Sequence, residues 1–230
     1  MSNLVICVKS CQEHLEKGYH DVIRKTWGAD ARANGVDVRF FVGANPAKYE
    51  ADEVHVNAAD DYRGLPYKTR DICRWAAGKQ IRHIYLCDTD TYLHIPYLLS
   101  SHYELYDYQG AMMHKCGSVF KYDVITQYGE PEKHDPCYTW ASGGFGYFLS
   151  KRAASLVAYE QPNSWAEDLW VGQVVGPEIV AGTMKGMSTR ENNYTGNNYS
   201  WHFTRGIYGD GGPYKPEYGW MEKMHIEQHA

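Results

Sequence analysis

His83-Ile84-Tyr85-Leu86-Cys87-Asp88-Thr89-Asp90 is the stretch on which the reading of this chain turns. Its first five residues predict a strand, and that strand runs straight into an acidic cluster. A second apolar run, Leu4-Val5-Ile6-Cys7-Val8, is unbroken, as expected of a strand buried on both faces. Between the two, Leu15, Tyr19, Val22, Ile23 and Trp27 share one helical face, and Gly28 is suited to end that helix. Val36 to Val42 reads as a strand closed by Gly43, and Glu53 to Val56 as a short one. Leu65 to Ala77 is helical, with Pro66 fitted to the first turn. Further on come a strand over Gln109–Met113, a glycine-rich turn over Ser142–Gly146 and a helix near Lys151–Tyr159. A helix near Leu169–Val175, opened or preceded by Asp168, and a strand over Glu178–Met184 complete the pattern. Strands alternating with helices predict an α/β sandwich with a mostly parallel sheet and helices on both faces. Ligands of such sheets sit beyond the carboxyl ends of the strands, which is where Asp88-Thr89-Asp90 falls.

The length of 230 residues suits one domain of this kind. Within it, residues of about 1–92 form a first half and about 93–204 a second, followed by a polar, aromatic-rich tail over 205–230. Hydrophobic residues at 43% and charged residues at 22% exclude a disordered chain. The formal charge of −5 argues against a nucleic-acid coat protein. The apolar run near the start is too short to span a bilayer, and no basic segment precedes a longer one, so a cytoplasmic protein is expected. Of the six cysteines, Cys7, Cys73 and Cys87 fall in apolar patterns and read as core; no pair has the spacing of a zinc site. Cys116 and Cys137 are placed to close a loop if the compartment is oxidising. Twenty tyrosines and seven tryptophans suit flat ligands such as sugars and bases, but equally a core filled with aromatics.

Four segments carry candidate chemistry, and each has two readings. Asp88 and Asp90 can converge on one hard cation, Mg²⁺ or Mn²⁺; the alternative is a solvated turn capping a strand. Glu167-Asp168 sits between Trp165 and Trp170, either as a helix cap or as a general base whose pKa rises by desolvation. Ser142 to Tyr147 lets backbone approach a ligand closely, or is only a tight turn; it is neither a P-loop nor a dinucleotide fingerprint. His202, amid aromatics, is a packed side chain or a ligand.

Taken in order, these segments resemble glycosyltransferase family 31, the β-1,3-galactosyltransferase, Fringe and core-1 synthase group. Ile23-Arg24-Lys25-Thr26-Trp27-Gly28 resembles its I-R-x-T-W-G, and Phe40-Phe41-Val42-Gly43 its second strand. Asp60-Asp61-Tyr62-Arg63-Gly64-Leu65-Pro66-Tyr67-Lys68-Thr69 resembles D-x-Y-x-N-L-x-x-K-T, with Gly64 where the family often has Asn. Cys87 to Tyr92 is similar to D-D-D-V-F, Ser142 to Ser150 to S-G-G-A-G-Y-x-x-S, and Glu167 to Gly172 to E-D-V-x-x-G. Together they cover roughly Leu4 to His202.

The resemblance implies a GT-A fold, a nucleotide-sugar donor (usually a UDP-sugar), Mn²⁺ or Mg²⁺, and inversion at the anomeric carbon. It implies that Asp88 and Asp90 hold the metal on the donor's diphosphate and that His202 completes its shell. It makes Asp168 the base toward an acceptor hydroxyl, with Glu167 orienting or capping beside it. Arg24, Asp61, Lys68 and Thr89 become nucleotide contacts, Gly143 and Gly144 give room beside the sugars, and Trp140 and Trp170 offer stacking faces for the acceptor. The acceptor is left open: a glycan, a lipid-linked sugar, a protein or a modified base in viral DNA. For the last, the basic spread Arg24, Lys25, Arg63, Lys68, Arg70 and Arg74 is the relevant feature. A glycoside hydrolase pairing Asp88 or Asp90 with Asp168, and a non-catalytic sugar-binding module, are the competing readings.

Overall fold

The computed structural model describes residues 4–43, 50–116, 137–176, 179, 181–184, 187–189, 200–202 and 219–230. Its centre is β1 (Leu4–Lys9), every residue of which is buried. β1 pairs in parallel with β2 (Asp37–Val42) on one side and β4 (His83–Asp88) on the other, with Val8 opposite Phe40 and Cys87. β3 (Glu53–His55) extends one edge; β9 (Tyr147–Ser150), antiparallel, then β6 (Tyr108–Gly110) and β10 (Ala181–Thr183) extend the other. The result is a mostly parallel seven-stranded sheet in the order β10-β6-β9-β4-β1-β2-β3. A small sheet joins β5 (Thr91–Leu93), β12 (Ser200–His202) and β11 (Met187–Thr189), and β7 (Met112–Cys116) pairs with β8 (Cys137–Ala141). Cys116 lies directly opposite Cys137 in that hairpin's register, but their side chains are outside those described.

Apolar side chains of the sheet alternate between two cores, as the period of two demands. One gathers Leu4, Ile6, Val8, Phe40 and Cys87 beneath α2 (Tyr19–Lys25), α3 (Trp27–Ala33) and α5 (Ile95–Leu99). The other gathers Val5, Cys7, Phe41 and Leu86 beneath α4 (Leu65–Gly78), α6 (Lys151–Tyr159) and α7 (Glu167–Val175). Cys7, Cys73 and Cys87 are free and buried, and burial raises all three thiol pKa values, so they stay protonated as core groups.

Three expectations are corrected. The single helix from Leu15 to Trp27 is α1 (Gln12–Glu16), α2 and α3. Gly18 at φ +77° separates the first two. Thr26 separates the others: it leaves helical geometry (φ −107°, ψ −123°), and its hydroxyl donates back to the Val22 carbonyl at 2.8 Å. Gly28 therefore lies in the first turn of α3 and ends no helix; a Cβ there would come within 2.5 Å of the Ile23 carbonyl oxygen. The strand over Gln109–Met113 is two strands, β6 in the large sheet and β7 in the hairpin, broken at Ala111. The tail closes with a helix, α8 (Trp220–His229), whose Met221 and Met224 are buried in the first core. Only two of its ten residues are buried, so it carries no apolar stripe for periodicity to detect.

Candidate active site

β1 and β4 run parallel and end together, and a cavity of about 590 Å³ opens beyond them. Lys9, Ser10, Cys11 and His14 line it from the β1 end, and Asp88, Thr89 and Asp90 from the β4 end. Asp60, Asp61, Tyr62, Leu65 and Lys68, around the start of α4, form a further wall, and Trp165 closes the rim.

Lys9 is the hub. Its side chain is 2% exposed, and its ammonium lies 2.9 Å from Glu167 Oε2 and 3.2 Å from Asp88 Oδ1. Burial opposes the charge, but Asp88 and Glu167 outweigh it and raise the Lys9 pKa, so the ammonium stays protonated. The other Glu167 oxygen accepts from Thr69 Oγ1 at 2.8 Å and from the Tyr147 hydroxyl. A buried carboxylate is thus paired and hydrogen-bonded on both oxygens, the condition under which burial is tolerated.

Asp168 follows in the first turn of α7, half-buried. The cap position itself is Ala166, so neither acid is the N-cap that the sequence allowed. Asp168 Oδ2 accepts from the Gly143 amide at 3.0 Å and Oδ1 from the Leu169 amide at 2.8 Å. Burial, then the neighbouring charge of Glu167, push its pKa above the ordinary aspartate value; the Gly143 amide, Lys9 and the Leu169 amide partly offset this. A Cβ on Gly143 would stand 3.2 Å from both Asp168 Cβ and Glu167 Oε2, so either acid would have to give by a few tenths of an ångström. Gly144 is tied to the acidic turn, its carbonyl accepting from Thr91 Oγ1 at 3.0 Å.

At that turn Thr89 Oγ1 lies 2.7 Å from His14 Nδ1. Burial lowers the His14 pKa against the opposing pull of Asp90, Glu13 and Asp88, so the imidazole is neutral at pH 7. His202 ends β12, and the antiparallel register sets it opposite Thr91, next to Asp90 in sequence; its side chain is outside those described. Two carboxylates, a hydroxyl and a neutral imidazole that line one cavity fit a hard divalent cation such as Mn²⁺ or Mg²⁺ by donor chemistry.

The Asp60–Lys68 pair is the third cluster. Lys68 Nζ donates to Asp60 Oδ1 at 2.7 Å and to the Ser10 carbonyl. Asp60 also accepts from the amides of Gln12 at 2.8 Å and Gly43 at 2.7 Å. Burial alone would raise its pKa, but Lys68 and these amides hold it below the ordinary value. Asp61 caps the turn at Tyr62–Gly64 by accepting from the Gly64 amide at 2.7 Å. A Cβ on Gly64 would come 2.1 Å from the Ala59 carbonyl oxygen, which leaves no room for the Asn common at the matching position.

Not every expected residue comes to the cavity. Gly143, Gly144, Glu167 and Asp168 stand behind its lining, joined to it through the contact of Glu167 with Lys9. Arg24 is outside it as well; the guanidinium bonds Asp52 at 2.6 and 3.0 Å, Glu53 at 2.7 Å and Asp21 at 2.9 Å. Trp140 and Trp170 are 5% and 1% exposed, so they pack in the interior and offer no stacking face. Among the described residues the aromatic side chains at the cavity are Tyr62 and Trp165, with ring centroids 5.4 Å apart. The basic spread is largely neutralised: Arg70 and Arg74 both pair with Asp71, and Lys68 with Asp60. Lys9, His14, Asp60 and Tyr147 were not foreseen as site residues. For Lys9 a signal existed, a charge ending a wholly apolar strand level with the acidic turn.

Two solved structures with the same architecture are glycosyltransferases. One, a glycosyltransferase involved in glycosylation of the major capsid of PBCV-1, superposes with a TM-score of 0.51 at 14% identity, over 96% of this chain and 99% of that one. The galactosyltransferase LgtC, solved with donor and acceptor sugar analogues, superposes with a TM-score of 0.51 at 10% identity, over 97% and 95%. At these identities the likeness establishes the fold, that of the GT-A glycosyltransferases. The family model for galactosyltransferases matches residues 20–182, well over half of the chain, and the chain belongs to that family. No curated protein matches the sequence. Among the described residues no helix is long and apolar enough to cross a membrane.

Proposed function

We propose that this glycosyltransferase uses a divalent cation to bind a nucleoside-diphosphate sugar, UDP-linked by preference, and transfers the sugar with inversion to an acceptor hydroxyl. The observation that carries the reading is Lys9: one buried ammonium, at the joint carboxyl ends of β1 and β4, holds both Asp88 of the metal-type turn and Glu167 beside Asp168. A single side chain thus links the turn proposed to bind the donor with the acid beside the proposed base.

Asp88 and Asp90 would hold Mn²⁺ or Mg²⁺, with His14 or His202 as the imidazole partner. Bound there, the cation supplies a Lewis acid that neutralises charge on the departing diphosphate. The chain's own residues do the rest. Asp168 takes the proton of the acceptor hydroxyl; its raised pKa strengthens it as a base, and the two backbone amides fix its orientation. The acceptor oxygen then attacks the anomeric carbon on the face opposite the nucleotide, through an oxocarbenium-like transition state. Asp61 and Lys68 border the space for the nucleotide, and Tyr62 with Trp165 supplies aromatic faces for a base or sugar. A cytoplasmic setting agrees with the free thiols of Cys7, Cys11, Cys73 and Cys87.

The test is Asp168→Asn assayed with UDP-sugars. Turnover should fall by about 10²–10⁴, the usual worth of a positioned base, while UDP affinity stays within a factor of two or so. Retained turnover removes Asp168 from the chemistry; sugar release without any nucleotide donor replaces the transferase by a hydrolase.

A further inference from the structure

The C-terminal helix α8 carries two histidines one turn apart, His225 and His229, on one side of the helix. Their ring centroids are 4.3 Å apart. Both face Asp30 of α3: Oδ2 lies 3.6 Å from His225 Nδ1, and Oδ1 lies 3.4 Å from His229 Nε2. The three ligand atoms all fall within 4.8 Å of one another. These separations exceed the roughly 2.7–3.2 Å of a good N–H···O bond. Each is close to the edge of a tetrahedron with ligands about 2.0–2.1 Å from its centre, near 3.3 Å, with the two nitrogens facing different oxygens of the one carboxylate.

Proton bookkeeping points the same way. His229 Nδ1 lies 2.8 Å from the His225 carbonyl oxygen, so this nitrogen carries the hydrogen and donates it. The other nitrogen, Nε2, is the one that faces the Asp30 carboxylate. A ring N–H bonded to a backbone carbonyl is also the usual outer support of a metal-binding histidine. The Tyr92 hydroxyl, 3.2 Å from His225 Nδ1, is the partner that a cation would displace.

We propose that Asp30, His225 and His229 form a site for a zinc-class cation, with water in the fourth position, that clamps α8 to α3. It is chemically distinct from the acidic turn at the cavity. Imidazole nitrogens favour Zn²⁺, Co²⁺ and Ni²⁺, whereas carboxylate and hydroxyl oxygens favour Mn²⁺ and Mg²⁺. The clamp has something to hold: apart from Met221 and Met224, α8 presents mainly exposed or half-buried residues, so a cation at Asp30 adds a second anchor one turn beyond them.

The test uses the full chain, stripped of metal by a chelator and carrying Asp90→Asn so that the cavity does not contribute. Zn²⁺ is titrated by equilibrium dialysis, and Tm is followed in parallel. One zinc per chain is expected, with Tm raised by about 5–10 °C at a hundredfold excess over Kd. His229→Gln, at a half-exposed position where folding is not at stake, should weaken zinc at least tenfold and abolish most of the Tm rise. His225→Gln/His229→Gln should remove the site. Zinc bound equally well by the double variant, or bound by the parent without raising Tm, overturns the proposal.

Discussion

Replacing Lys9 by Met tests whether the site is organised around one buried charge. Lys9 and Glu167 have side chains 2% and 5% exposed and lie 2.9 Å apart. Removing one partner of such a pair leaves the other charge uncompensated, at a cost of about 3–5 kcal/mol. Glu167 keeps the Thr69 hydroxyl at 2.8 Å and the Tyr147 hydroxyl, which argues for the lower end, about 3 kcal/mol. For a chain of this size that is a fall in Tm of about 6–12 °C. The sign with pH also follows. A lysine whose folded pKa is raised contributes stability that is fully present below its unfolded value of about 10.4 and is lost only above it. The deficit in Lys9→Met should therefore be the same at pH 7 and pH 9. Urea denaturation of the single variants and of Lys9→Met/Glu167→Gln measures it, and the double variant should lose clearly less than the sum. A loss below about 1 kcal/mol, or strict additivity, would refute the pairing as the organising contact.

Two further outcomes follow from the same geometry. In Glu167→Gln a negative charge leaves the neighbourhood of Asp168, so the Asp168 pKa drops and the acidic limb of kcat/KM moves to lower pH; a limb that stays put separates the two acids. Gly146→Ala puts a Cβ at φ +83°, within 2.4–2.7 Å of the Tyr85 ring and hydroxyl. Strain plus overpacking of about 2–6 kcal/mol should appear as a lower urea midpoint.

The sheet's centre was legible because β1 and β4 are short apolar runs, and burial on both faces requires that pattern. The acidic turn was legible for a related reason, since an abrupt change from Cys87 to Asp88 marks where a buried strand meets solvent. Local signals failed where one residue overrode a period. Thr26 breaks a helical stripe that continues on either side of it, and Ala111 divides one apolar run between two sheets. They also failed for side chains whose role depends on distant partners. Asp60 and Asp61 look equivalent in the chain, yet only Asp60 meets Lys68. Trp140 and Trp170 suited stacking by residue type, but the sheet and α7 enclose them. His14 and Tyr147 reach the site only because β1, β4 and β9 are neighbours.

The most direct test of the central claim is calorimetry of UDP binding, with and without Mn²⁺, to the parent chain and to Asp90→Asn. The account predicts binding that requires Mn²⁺ and is lost in the variant. UDP binding that is indifferent to the metal, or unchanged by Asp90→Asn, would contradict a donor site built on the turn after β4.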